Sequence, residues 1–236
     1  MLLGSVLKRR ASLDARRLLA AAVGSGNSVR EREIRRSAEA MAATLEQAAA
    51  AYRRAEGLPG DSRFNPAAAL NRLALDALTP GNRDSVARGA ALALAQRSRD
   101  DATQRLARSP TARDAMLVPE SMLVESLLDG SLGRTAAAGQ AAFERLAQAY
   151  ADTLAEPSLT PADIGAMASQ LALLSLFCDA LGLVRDGEAL RRTAERLQDL
   201  AQLLQPARKR RQPPPAPARA AAKKAARNAA AKRGRP

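Results

Sequence analysis

Residues 28–52 read SVREREIRRSAEAMAATLEQAAAAY, and this stretch decides the fold class. Ser28 and Glu31 form a capping-box pattern. The apolar residues Ile34, Ala38, Met41, Leu45, Ala48 and Tyr52 then recur at alternating steps of four and three, which is one face of a helix. Small Ala38 and Ala48 alternate with larger residues, so a second helix can approach closely, while Arg32, Arg35, Arg36, Glu39 and Glu46 keep the far side in water. A helix with one such stripe gains its stability by packing, so the rest of the chain is expected to supply its neighbours.

The composition agrees. The chain has 236 residues, 47% of them apolar but only 2% aromatic, with no Trp or His. Such an interior must be filled by Leu and Ala, which favours close-packed helices over sheets. The single Cys178 excludes an internal disulfide framework, fits a reducing compartment, and sits in the apolar run 173–178 as a small buried hydrophobe. No apolar run reaches the roughly 18–20 residues of a membrane span, the longest being interrupted by Asp179, so a soluble, cytoplasmic chain with no membrane partner is expected. Met1–Gly24 is as basic and acid-poor as a transit peptide, but its period continues into the rest of the chain and reads as a first helix.

Charge divides the chain. The net charge is +13, yet residues 1–205 hold 26 basic and 24 acidic residues, whereas residues 206–236 hold 11 basic residues and no acid. Residues 1–205 are therefore read as a helical domain and residues 206–236 as a disordered Pro/Ala/Lys/Arg-rich tail, in which no large apolar side chain offsets the entropy of folding.

Along the domain, residues 2–23 read as one or two helical turns followed by a helix with Ser12 as its cap, broken at 24–27. The helix from Ser28 runs to about Glu56. Asn65 caps the next helix with Pro66 at its first position and Leu70, Leu73, Ala74, Ala77 and Leu78 on its buried stripe. A long Ala-rich helix covers Asp84 to about Arg108, with a bend allowed near Ser98. Thr111–Leu128 is helical in pattern, with Pro119 either kinking it or opening a fresh helix. Helices at 140–154, 161–181 and 188–204 follow, the second capped by Thr160 with Pro161 at its first position. Eight or nine helices with short loops and no strand signal make an all-α fold, either antiparallel hairpins stacked as a solenoid or an irregular bundle.

Several segments resemble the tetratricopeptide-like repeat regions of bacterial signalling and effector proteins. They are Leu2-Leu3-Gly4-Ser5 with Lys8-Arg9-Arg10-Ala11, Tyr52-Arg53-Arg54-Ala55, Phe64-Asn65-Pro66 with Leu70 to Leu75, and Ser121–Gly130 followed by Tyr150. The resemblance covers about residues 1–181. It implies a non-enzymatic scaffold that binds another protein, as the C-terminal part of a longer array. Lys232-Arg233-Gly234-Arg235-Pro236 resembles the core of an AT-hook, which implies that Arg233 and Arg235 enter an A·T minor groove and Gly234 permits close approach.

Catalytic chemistry finds little support in the residue pattern. Without His, a general base must be a carboxylate or Lys with a displaced pKa. The tight acidic pairs, Asp100-Asp101 and Glu31 with Glu33, lie among arginines on expected helix surfaces, and there is no Gly-rich phosphate loop; no cofactor, metal site or catalytic residue is assigned. Two functions are expected. The first is protein binding, with Arg32, Arg35 and Arg36 facing an acidic partner. The second is salt-sensitive nucleic-acid binding through Arg208, Lys209, Arg210, Arg211, Lys223, Lys224, Lys232, Arg233, Gly234 and Arg235.

Overall fold

A computed structural model describes residues 2–22, 28–57, 64–79, 85–134 and 136–211. These hold eight helices and no strand: α1 (Leu2–Ala22), α2 (Ser28–Glu56), α3 (Pro66–Leu78), α4 (Ser85–Arg108), α5 (Ala112–Leu128), α6 (Ala136–Leu154), α7 (Pro161–Ala180) and α8 (Val184–Arg211). The fold is all-α. It divides into two units, Met1–Ala201 and Gln202–Pro236.

The stripe on α2 packs as its spacing demands. Met41, Leu45, Ala48 and Tyr52 are buried, while Arg32, Arg35, Arg36, Glu39 and Glu46 are exposed. Ile34 and Ala38 are only half-buried, and no side chain from Glu31 to Ala40 is fully buried, so the core holds the C-terminal half of α2 and leaves its first turns more open.

Local chemistry sets the other boundaries. Asn65 caps α3, its side-chain oxygen accepting from the Ala68 amide and from Arg113 (2.9 Å), with Pro66 following. Thr160 and Asp163 close a reciprocal capping box on α7, whose hydrogen bonds hold the Asp163 carboxyl below its usual range. Pro119 neither breaks nor restarts α5. A proline there cannot bond the carbonyl four residues back. The Thr153 hydroxyl of α6 lies 3.4 Å from that Ala115 carbonyl and also donates to its own Ala149 carbonyl at 2.8 Å.

Three expectations need correction. Ser12 is not a cap; α1 runs unbroken from Leu2, and the Ser12 hydroxyl donates back to the Arg9 carbonyl at 2.6 Å. The last helix is Val184–Arg211, where 188–204 was expected. Finally, α7 is long and apolar enough to cross a membrane by length and composition, Asp179 notwithstanding. In the fold, Ile164, Met167, Leu171, Leu174, Phe177 and Cys178 of that helix are buried within protein.

Within the first unit, α1 packs on α2, α2 on α3, α3 on both α4 and α5, α4 on α5, and α5 on α6. α1 also packs on α7. In a one-dimensional stack each repeat touches only its neighbours. The contact between the first and seventh helices is an exception to that order. The largest fully buried side chains include Tyr52, Tyr150, Phe177 and Met41.

Candidate protein-interaction surface

α1 has two faces of opposite chemistry. Its inner face buries Gly4, Lys8, Ala11, Ala15, Leu18 and Ala21, at the steps of three and four that mark one side of a helix. Gly4 lies against the Tyr52 ring so closely that a Cβ there would stand 2.7–2.9 Å from three ring carbons. The Ser5 hydroxyl and the Tyr52 phenol share a hydrogen bond of 3.2 Å.

The buried lysine next along this face is the centre of a polar anchor. Lys8 is 6% exposed, and its ammonium donates to Asn71 Oδ1 of α3 at 2.5 Å and to Gln170 Oε1 of α7 at 3.1 Å. Gln170 Nε2 in turn donates to Asn71 Oδ1 at 3.3 Å. The ammonium stands 5.3 Å from the Tyr52 ring centroid, within cation–π range. Burial lowers the Lys8 pKa to about 8, against an opposing pull from the Glu120 carboxylate of α5. Burial likewise raises Glu120 to about 7, with Lys8 pulling the other way. Tyr150 of α6 is pushed well above its ordinary value, first by burial and then by the Glu120 charge. Residues of α2, α3 and α7 thus meet around the one cation of α1, and the Glu120 carboxylate of α5 acts on it through charge. Such a group contributes little net stability but is costly to misplace. It therefore fixes the rotation of α1 about its own axis, and with it the choice of outer face.

On that outer face, Leu2, Val6 and Leu13 are 82, 53 and 54% exposed, and Leu3, at its edge beyond Arg10 and in line with Ala21, is 56% exposed. Val184 is the only other large apolar residue exposed among those described. With about 3.6 residues per turn, Val6, Leu13 and Ala20 fall in one row with Leu2 close to it. Exposed Arg9 and Arg16 lie on one side of this row, and exposed Arg10 and Arg17 on the other. The sole acid of α1, Asp14, is half-buried and 3.4 Å from Arg17.

The residues singled out from sequence fall into three groups. Arg32, Arg35 and Arg36 are exposed on the first turns of α2, which packs on α1. Arg208, Lys209, Arg210 and Arg211 lie on the helical backbone at the end of α8. Lys223, Lys224, Lys232, Arg233, Gly234 and Arg235 lie outside the described residues. Sequence reasoning missed Lys8, because in Lys8-Arg9-Arg10 it reads as one more solvated cation. The usable signal was its register, since Lys8 continues the row of Gly4, Ala11, Ala15 and Leu18.

An open cleft of about 570 Å³ lies between α4, α5 and α6, lined by Leu106, Val118, Met122, Ala149, Arg145 and Asp152 among others. Cys178 is fully buried, and burial with the nearby Asp186 and Asp179 carboxylates keeps its thiol protonated. Among the described residues, no group of three or more His, Cys, Asp and Glu is arranged to hold a metal ion. No protein-family model, curated protein or solved structure matches this chain.

Proposed function

We propose that the chain is a non-enzymatic, cytoplasmic protein-interaction module, its helical body tetratricopeptide-like in kind, and that α1 with the adjoining first turns of α2 is its contact surface. One observation carries the reading: among the described residues, four of the five exposed large apolar side chains occupy the first three turns or so of a single helix. Isolated apolar residues on a surface are ordinary, whereas a cluster marks a binding site. Lys8 and Glu120 have the displaced pKa values expected of an acid–base pair. However, the Lys8 ammonium is buried and taken up by Asn71 and Gln170, which suits an anchor better than a reacting group.

A photo-cross-linking residue at position 13 tests this, with the same residue at exposed position 144 on α6 as control. The expected result is a discrete adduct from position 13 that disappears when Arg9 and Arg16 are both changed to Glu. Identical adducts from both positions, unchanged by the double substitution, refute the proposed surface.

The tail supports a second reading, as an accessory nucleic-acid contact, because its 11 basic residues are accompanied by no acid.

A further inference from the structure

We propose that the segment received by α1 is an acidic amphipathic helix of another protein, with an apolar row flanked on both sides by carboxylates. This rests on the reading of α1 as a contact surface and names the chemistry of what binds there. The argument comes from the lateral order of the side chains. Across the outer face runs a row of cations (Arg9, Arg16), a single apolar row (Leu2, Val6, Leu13, Ala20) and a second row of cations (Arg10, Arg17), all exposed. Val6, Leu13 and Ala20 repeat every seven residues, as do Arg9 with Arg16 and Arg10 with Arg17. A facing helix with the same period meets all three rows at once. Its apolar residues cover the central row, and acids on its two flanks pair with the arginines, as charged positions beside a coiled-coil seam select a partner. Arg32, Arg35 and Arg36 on the first turns of the packed α2 add cations of the same sign.

Other occupants fit less well. A second copy of α1 would set arginine rows against arginine rows, which is repulsive in either orientation. A lipid surface takes up helices with a broad apolar face and cations on the opposite side. Here arginines border the apolar row directly, so the apolar band is only one residue wide along much of the helix.

The test uses the full chain and two synthetic 21-residue helical peptides, both with leucine on one heptad row. One carries Glu on both flanking rows and the other carries Gln there. Binding is read by fluorescence anisotropy for the native chain, for Leu13→Ser, and for the quadruple change of Arg9, Arg10, Arg16 and Arg17 to Gln. All these positions are exposed, and unchanged melting temperatures establish that the fold is kept. The cations of residues 206–236 give the same background in every variant, so the readout is the ratio between variants. The expected result is that the Glu peptide binds about fivefold or more weakly to either variant than to the native chain, and that the arginine change costs the Gln peptide less than about twofold. Equal binding of both peptides that is still lost in Leu13→Ser overturns the acidic partner but leaves the surface standing. Binding indifferent to both variants, or absent, overturns the inference outright. So does uptake of the chain by phosphatidylcholine vesicles containing about 30% phosphatidylserine when the peptides do not bind.

Discussion

The Lys8 anchor predicts an unusual pH profile, with stability at a minimum near neutrality. In Glu120 the carboxyl is raised from its ordinary 4.5 to about 7. The unfolded chain therefore releases that proton first, and stability falls as pH climbs through the interval between these values. In Lys8 the ammonium is lowered from 10.5 to about 8. Below that pH both states hold the proton and the fold bears the cost of the buried charge. Above it the unfolded chain holds the extra proton, so stability recovers as pH rises toward 10.5. At about 1.4 kcal/mol per pH unit, each full interval amounts to roughly 3 kcal/mol. Glu120 keeps part of its surface in solvent, which cuts its share to roughly 1–2 kcal/mol between about pH 5 and pH 7.5. Lys8 returns roughly 1–2 kcal/mol between about pH 7.5 and pH 9.5. The other titratable groups facing the anchor are Tyr52 and Tyr150, both raised, which lose stability only above about pH 10 and so bound the window. Glu125 is raised by burial as well and adds to the acidic arm, so substitution is needed to separate the two carboxyls.

Thermal melting of the native chain, Lys8→Met and Glu120→Gln at several pH values makes that separation. For a domain of this size, each arm should span roughly 2–8 °C in melting temperature. Lys8→Met should abolish the alkaline rise, and Glu120→Gln should flatten the acidic fall. Met keeps most of the length of the buried stem, and Gln170 still bonds Asn71, so Lys8→Met should lose little stability at neutral pH or gain some. A profile that is flat from pH 5 to 9.5, or one with arms that survive both substitutions, refutes the reasoning.

Three further outcomes are expected. Gly4→Val should destabilise by roughly 1–3 kcal/mol, because the added atoms fall on the Tyr52 ring, and calorimetry should show this where an exposed Ala22→Val change shows almost nothing. Leu45→Ala, at a position 3% exposed in the middle of the α2 stripe, should cost roughly 2–5 kcal/mol in urea unfolding; a change under 0.5 means that the stripe is not the seam. Removing residues 206–236 should abolish salt-sensitive duplex binding by the chain, and the full chain should prefer A·T-rich duplex in competition; equal binding with and without the tail rules out the nucleic-acid reading.

Helices and caps were legible in the sequence wherever the determining chemistry is local. The α2 stripe, the Asn65-Pro66 start of α3 and the Thr160–Asp163 box of α7 are all set by residues within a turn or two of one another. What depends on distant partners was not: Thr153 of α6 lies at the carbonyl that Pro119 cannot bond, and the return of α1 onto α7 has no signature in either helix alone. The Lys8 contacts are the extreme case, joining residues 63 and 162 positions apart.

That last interaction also connects the fold to the proposed function. Lys8, Arg9 and Arg10 are three consecutive cations, and a helix sends consecutive residues about 100° apart. Lys8 points into the core while Arg9 and Arg10 fall on the two flanks of the apolar row. A lysine suits the inner position because its point charge can be relinquished on burial, whereas a guanidinium stays charged and needs five donors satisfied. Arginines suit the outer positions, where a permanent planar charge can pair with carboxylates. Once Lys8 is held by Asn71 and Gln170, α1 cannot roll without stranding a buried ammonium, so the arginine–leucine–arginine order stays turned to solvent. A variant with an alanine at position 8 that keeps its melting temperature but lets α1 turn should therefore lose the Glu-peptide preference without any change on the outer face. Retention of that preference would mean that α1 is oriented by its Ala11–Ala15–Leu18 packing alone, and that the anchor has no part in recognition.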